Sequence, residues 1–205
     1  MNWNWLGWLL WLGALAYLCW VIHYIRVHQL MLIAKTGNRV DSKLMTRYVL
    51  FLVLAFCWVG GMYYLTFGRN VDYTDTKAVT VKTKYETLQL SSSGTNYYYV
   101  LANRSQGGKH VVSYTYSTTN QKETVSARFA QVTTSDSLVE GTAKQYPWNL
   151  KKLQSLDTNS SHAFVAEMNV TYKNTVLNGM GLRSGRPAGQ FTLIRVPAEN
   201  LVEED

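Results

Sequence analysis

The sequence predicts an α+β chain: a transmembrane helical hairpin followed by one mainly antiparallel-β extracytoplasmic domain with a short helix. Three observations carry this. Residues 48–67, YVLFLVLAFCWVGGMYYLTF, are 20 uncharged residues between Arg47 and Arg69; as helix they reach about 30 Å, the thickness of a bilayer's hydrocarbon core. A second uncharged run, Trp5 to Ile22, lies upstream. Beyond Val71 the hydrophobic period changes from helical to alternating.

The first span is expected over about 5–24. Trp3, Trp5 and Trp8 crowd its start and Trp20 and Tyr24 mark its end, where amphipathic rings meet a bilayer's two interfaces. It lacks a basic segment before it and reads as a retained anchor, not a cleaved signal peptide. The connection from Ile25 to Arg47 carries five basic residues, Arg26, Lys35, Arg39, Lys43 and Arg47, against one acid, Asp41. The positive-inside rule puts it in the cytoplasm and both termini outside, giving a multi-pass protein of the cell membrane. Val27–Ala34 extends the first helix, Thr36-Gly37-Asn38 turns, and Asp41 or Ser42 caps the second helix, expected over about 48–67. Gly13, Ala14 and Ala16 in the first span, with Cys57 and Gly61 in the second, predict a tight hairpin; a homo-oligomer through the same residues is the alternative. Cys19 and Cys57 read as small buried hydrophobes.

The chain divides at residues 1–68, 69–198 and an acidic tail, 199–205, expected to fray. Residues 69–198 suffice for one domain, and the absence of cysteine there excludes a disulfide framework. The whole chain has a net charge of +7, and the tail's four acids mask a more basic body. Within the domain, Val79, Val81, Thr83 and Tyr85 alternate as a strand, and Ser91–Gly94 turns. Strands follow over Tyr97–Ala102, Val112–Tyr116 and Val125–Phe129, with turns at Gln106–Lys109 and Thr119–Lys122. The spacing predicts an antiparallel meander. Trp148, Leu150, Leu153 and Leu156 recur at helical spacing, Ala163–Thr171 and Phe191–Val196 resume strands, and Pro197 stops the last.

Chemistry is sparse. The exterior part has two histidines, His110 and His162, and neither lies in a nucleophile elbow or a zinc-binding helix motif. Glu86, Glu123, Asp136, Glu140, Asp157 and Glu167 are scattered, and nothing in their spacing pairs them for acid–base work. The most singular stretch is Leu177–Gln190, LNGMGLRSGRPAGQ. Gly179 and Gly181 would let backbone amides converge on an anion, with Arg183 and Arg186 as forked donors; a plain connecting loop is the simpler reading. Tyr97, Tyr99, Tyr146 and Trp148 are candidates for an aromatic stacking platform, set against a core role. No catalytic residue, metal site or cofactor is expected, and no nucleic-acid signature appears.

The Trp-rich first span, Tyr64-Leu-Thr-Phe67, Tyr146-Pro-Trp148, Tyr172-Lys-Asn-Thr175, Leu177-Asn-Gly-Met-Gly-Leu182 and Arg195-Val-Pro197 give the chain a resemblance to an uncharacterised family of small two-span membrane proteins of lactobacilli and related lactic acid bacteria. The resemblance implies a Gram-positive envelope location and no catalytic residues. The expected function is a membrane-anchored envelope protein whose exterior domain binds or scaffolds without catalysis. Its expected partners are the lipid bilayer and an anionic wall polymer or another membrane protein. An envelope enzyme acting on wall polymer or peptide, and an accessory or sensor subunit of a larger complex, are the alternatives.

Overall fold

The computed structural model describes residues 2–36, 41–70, 72–93, 96–105, 108, 110–119, 121–134 and 137–204. It is α+β, and the chain forms two compact units. One comprises Met1–Val71 with Tyr172–Arg186, the other Asp72–Thr171 with Pro187–Asp205.

In the first unit, helix α1 spans Asn4–Thr36 and α2 spans Ser42–Tyr63, continued by one π turn over Tyr64–Gly68. Both helices are long and apolar enough to cross a membrane. Val27–Ala34 continues α1 as expected, and α2 begins earlier than its expected span because Ser42–Arg47, with the charged Lys43 and Arg47, is helical too. Asp41 caps α2, its carboxylate accepting from the amide of Lys43; Gly37 and Asn38 lie outside the described residues.

The helices meet along a seam of buried Ala14, Val21, Ala55 and Met62. Aromatic pairs flank it: Tyr17 with Trp58, Trp20 with Phe51, and Tyr24 with Tyr48. Only part of the expected small-residue seam is used. Gly13 rests against the Trp58 ring, but a methyl added at Gly60 or Gly61 would meet nothing within 4 Å, and Cys57 is exposed. Large rings fill the space between these helices, so the small face of α2 turns outward. Cys19 is exposed as well, contrary to expectation.

In the second unit, β1 spans Val79–Thr87, β2 Ser91–Ser93, β3 Asn96–Tyr98, β4 Val100–Arg104, β5 Val111–Ser117, β6 Lys122–Ser126 and β7 Ala130–Thr133. Helix α3 (Leu150–Asn159), β8 (Phe164–Tyr172), a short helix α4 (Val176–Met180), β9 (Pro187–Arg195) and β10 (Val202–Glu204) follow, α4 belonging to the first unit. The strands form two four-stranded sheets, ordered β1-β8-β9-β7 and β10-β4-β5-β6, and a small β2-β3 hairpin.

The expected meander is thus confined to β4, β5 and β6. Both large sheets are mixed: β7 runs parallel to β9, and β10 parallel to β4. Alternation reveals a strand's faces, not the direction of a partner remote in sequence. The tail was expected to fray; instead Val202–Glu204 pairs with Val100–Ala102 as an edge strand. Residues 91–93, expected in a turn, form β2, and the expected 97–102 strand breaks at Tyr99, whose amide donates to the Leu201 carbonyl. The expected 125–129 strand ends early, with Ala127–Phe129 a 3₁₀ turn.

Both large sheets feed one core. Val100 and Tyr116 from one sheet and Val165 and Ile194 from the other cluster with Leu88, Ala163 and Val196. Asn149 caps α3 by accepting from the amide of Lys152, and Leu153 is its fully buried residue.

Candidate functional site

The Gly/Arg stretch lies within an excursion of the chain. A register shift between Val170 and Thr171 precedes the exit from the β8–β9 pair. The base of the excursion is closed by the Tyr172 amide donating to Arg186 O and the Gly185 amide to Tyr172 O, each at 3.0 Å. Gly185 there has φ 75°, a left-handed conformation that glycine adopts without penalty.

Within the first unit this excursion closes on the helix ends. Thr175 caps α4 by accepting from the Asn178 amide. Asn4 of α1 grips Ser184 twice: its carbonyl oxygen accepts from the Ser184 amide at 3.0 Å, and its Nδ2 donates to Ser184 O at 2.9 Å. The Trp3 amide donates to Asn174 Oδ1, which also accepts from Ser184 Oγ. Gly7 has the carbonyls of Gly179 and Met180 for neighbours, and a Cβ at Gly181 would lie 2.5 Å from the carbonyl oxygen of Leu65. Leu182, at φ 57°, is buried beside Gly7, which holds it in a conformation costing an L-residue about 1–2 kcal/mol.

Of the donors expected to converge on an anion, Gly179, Gly181 and Arg183 therefore have internal partners. The amides of Gly179 and Gly181 donate to Thr175 O and Leu177 O. Arg183 donates Nε–H to Thr66 O at 3.0 Å and an Nη1 proton to Arg69 O at 2.6 Å, with Tyr172 OH at 3.1 Å. Its guanidinium also lies 5.5 Å from the Tyr172 ring centroid. Thr66 and Arg69 follow α2, where carbonyls lack intrahelical donors, so a forked cation has an obvious use. Arg186 is exposed.

The aromatic candidates are dispersed. Tyr97 is exposed on β3, whereas Tyr99 packs against the core cluster. Trp148 is only 9% exposed, donates Nε1–H to Ala143 O at 2.8 Å and meets Phe191 edge-on. Tyr146 stacks on Tyr73 with centroids 4.6 Å apart; burial, then the Tyr73 hydrogen bond, push its hydroxyl up to about 12. Tyr146 and Trp148 nonetheless line one cleft of about 670 Å³, with Lys144, Leu150, Gln154 and Asp157. Asp157 is held by two cations or potential cations: Arg195, 6% exposed, donates Nε–H to Oδ1 at 3.0 Å, and His162 Nδ1 lies 2.9 Å from Oδ2.

One acid pair went unrecognised in the sequence. Glu123 on β6 and Glu167 on β8 both meet the buried hydroxyl of Tyr116 on β5, at 3.0 and 2.9 Å. A hydroxyl has one proton to donate, so this trio is satisfied when the carboxyl pair retains a proton. Burial, then the hydrogen bond shared with Glu123, hold Glu167 above the ordinary carboxyl range; the same hydrogen bond holds Glu123 below it. Both line a cavity of about 230 Å³ whose other lining residues carry no charge. The available signal was weak: Glu123 stands opposite Tyr116 in the β5–β6 register, but Glu167 comes from the other sheet. Asp136 lies outside the described residues. Among the described residues no group of three His, Cys, Asp or Glu is placed to hold a metal ion.

Residues 2–203 match a family model that carries the name of a Lactobacillus locus. No curated protein and no solved structure matches the chain.

Proposed function

Because the chain belongs to the lactobacillal family whose model covers residues 2–203, we propose that it is a cell-envelope protein, anchored in the membrane by α1 and α2, whose mixed-sheet domain binds outside the cell without catalysis. One observation carries the anchor: large apolar residues such as Leu12, Leu15, Leu50 and Phe56 face outward along both helices, while only a narrow seam of Ala14, Val21, Ala55 and Met62 is buried. Water would select the reverse arrangement; a bilayer selects this one. The basic connection between the helices supports both termini lying outside.

The binding reading rests on the cleft beneath Lys144 and Tyr146 and on the basic character of residues 69–198, which carry 15 basic against 8 acidic residues. These suit a polyanionic wall polymer whose anionic groups reach Lys144 at the cleft. Protease added to wall-stripped cells should remove the β-domain while leaving the hairpin. Purified anionic wall polymer should bind the full chain in detergent, weakening steeply with salt, and Lys144→Glu should weaken it at least threefold. Binding that ignores both salt and Lys144→Glu would refute this assignment.

A second reading, an envelope enzyme, is favoured by the Glu123–Glu167 pair at its cavity. Both carboxyls are turned onto one buried hydroxyl, that of Tyr116, at 3.0 and 2.9 Å, whereas a glycosidase aims its two carboxyls at the scissile bond. The pair therefore fits glycoside hydrolysis poorly, and the binding reading is preferred.

A further inference from the structure

Helix α4 is inside out for a segment in water. Its polar residue, Asn178, is 1% exposed, its side chain donating to Lys173 O at 3.0 Å and accepting from Arg69 at 3.3 Å. Its apolar residues Val176 and Leu177 are instead 45% and 49% exposed. A surface turn folded against helices in water buries the latter and solvates the former.

The level at which α4 sits explains the inversion. Gly7 touches the carbonyls of Gly179 and Met180, Gly179 lies against Trp3, and Gly181 lies against Leu65. The segment is thus level with the first turn of α1 and the last turn after α2. Exposed aromatic residues crowd this end, Trp3 just before α1, Trp5 and Trp8 in its first turns, and Tyr63, Tyr64 and Phe67 at and after the end of α2, while Trp20, Phe56 and Trp58 are exposed farther along the hairpin. Rings with a polar edge and an apolar body settle at the headgroup layer. The joint is also built to stay shut, since neither Gly179 nor Gly181 has room for a Cβ, and Asn4 and Arg183 each donate or accept across it at hydrogen-bond distance.

Resting on the membrane reading above, we propose that residues 172–186 form an interfacial element that lies in the headgroup layer at the outer end of the hairpin, with Val176 and Leu177 inserted into lipid. The partner surface is a phospholipid bilayer. The element closes the gap between the ends of α1 and α2 and sets how deep the hairpin rides.

The test uses the full chain with Cys19→Ala and Cys57→Ala, in nanodiscs of phosphatidylcholine and phosphatidylglycerol, carrying one nitroxide at a time. The label is attached through Leu177→Cys, or through Leu54→Cys as a mid-helix control. Collision with oxygen, which partitions into lipid, is compared with collision with a water-soluble nickel chelate. The expected result is that oxygen dominates at both positions, more strongly at 54. Oxygen dominating at 54 while the chelate dominates at 177 overturns the inference and leaves the membrane anchor standing. The chelate dominating at 54 overturns the anchor, and this inference with it. A label at 177 shielded from both reagents indicates a second copy on that face and also overturns the inference. Should the labelled chain fail to fold, the unaltered protein is photolabelled with a phospholipid bearing a diazirine near its headgroup. Adducts at Val176 or Leu177 are expected, and adducts confined to residues 5–67 refute it.

Discussion

The guanidinium of Arg183 donates to the main-chain carbonyl of Thr66, 3.0 Å away and 117 positions earlier in the chain. A second donor of the same fork reaches Arg69 O. One cation thereby serves carbonyls that the end of α2 leaves without helical partners. Lysine cannot reproduce that fork. Arg183→Lys should therefore lose most of what Arg183→Ala loses, about 1.5–3 kcal/mol for a hydrogen bond to a charged group. Thermal unfolding in detergent measures it, and equal stability of wild type and Arg183→Ala would contradict the role.

Glycines separate by what surrounds them. A methyl at Gly181 meets the Leu65 carbonyl, and one at Gly179 meets the backbone of Trp3. Alanine at either site should destabilise by about 1–3 kcal/mol, the usual cost of overpacking. Gly60 and Gly61 have open space and lie within α2. Alanine there should be neutral or stabilise by up to about 1 kcal/mol. The same thermal series reads all four, and a uniform response would show that the joint is not tightly packed.

Glu167 and Glu123 define a pH window. Glu167 is held above its ordinary value, first by burial and then by the hydrogen bond with Glu123. The stability it contributes is full below the unfolded glutamate value and is lost as pH rises through its raised folded value. Glu123 is held below its ordinary value by the same hydrogen bond. Its contribution is present above the unfolded value and is lost as pH falls through its lowered folded value. Melting temperature should peak between the two. Glu167→Gln, whose amide donates without titrating, should flatten the alkaline limb of that peak. Carbon-13 titration of the two carboxyls should give one value on each side of the ordinary glutamate range.

Tyr116→Phe isolates the hydroxyl. Tyr116 is 1% exposed, and its OH meets both carboxyls. Phenylalanine preserves the ring's packing but leaves the acid pair without its shared donor, at about 1–3 kcal/mol. The pH peak should narrow, because the doubly ionised pair loses a compensating proton donor. A profile identical to wild type would mean that the hydroxyl does not stabilise the pair.

Asp157 and His162 should respond unequally. Asp157→Ala removes a carboxylate from the buried Arg195 guanidinium. Breaking such a pair from one side costs roughly 3–5 kcal/mol, and the low end is expected because Asp157 lines an open cleft. His162 is about half exposed, and His162→Ala should change stability by less than about 1 kcal/mol. Denaturant unfolding of both variants checks the ratio.

Much of the hairpin was legible in the sequence because solvation alone dictates it: uncharged runs such as 48–67 need no knowledge of partners to be read as helices for oil. The Asp41 cap and the alternation of β1 were legible for the same local reason; β5 forms where expected, but Val112 is exposed and the adjacent Thr115 and Tyr116 are both buried. Partners at long range were not legible. The pairing of Val202–Glu204 with β4 and of β7 with β9 turned two expected features, a loose tail and an antiparallel meander, into mixed sheets. Arg183 looked like an anion donor because its sequence neighbours are glycines and serine; its actual acceptors, Thr66 and Arg69, lie more than 100 positions away.

The sequence by itself determined where apolar surface must go: into two long helices and, in an alternating strand such as β1, onto one face. Tertiary structure decided which polar groups meet, bringing Glu123 to Glu167 and Arg183 to Thr66. The physical reason is range. Hydrophobic periodicity is a property of adjacent residues, readable one turn or one pleat at a time. Hydrogen bonds require atoms within about 3 Å, and only the folded path of the chain brings distant residues that close.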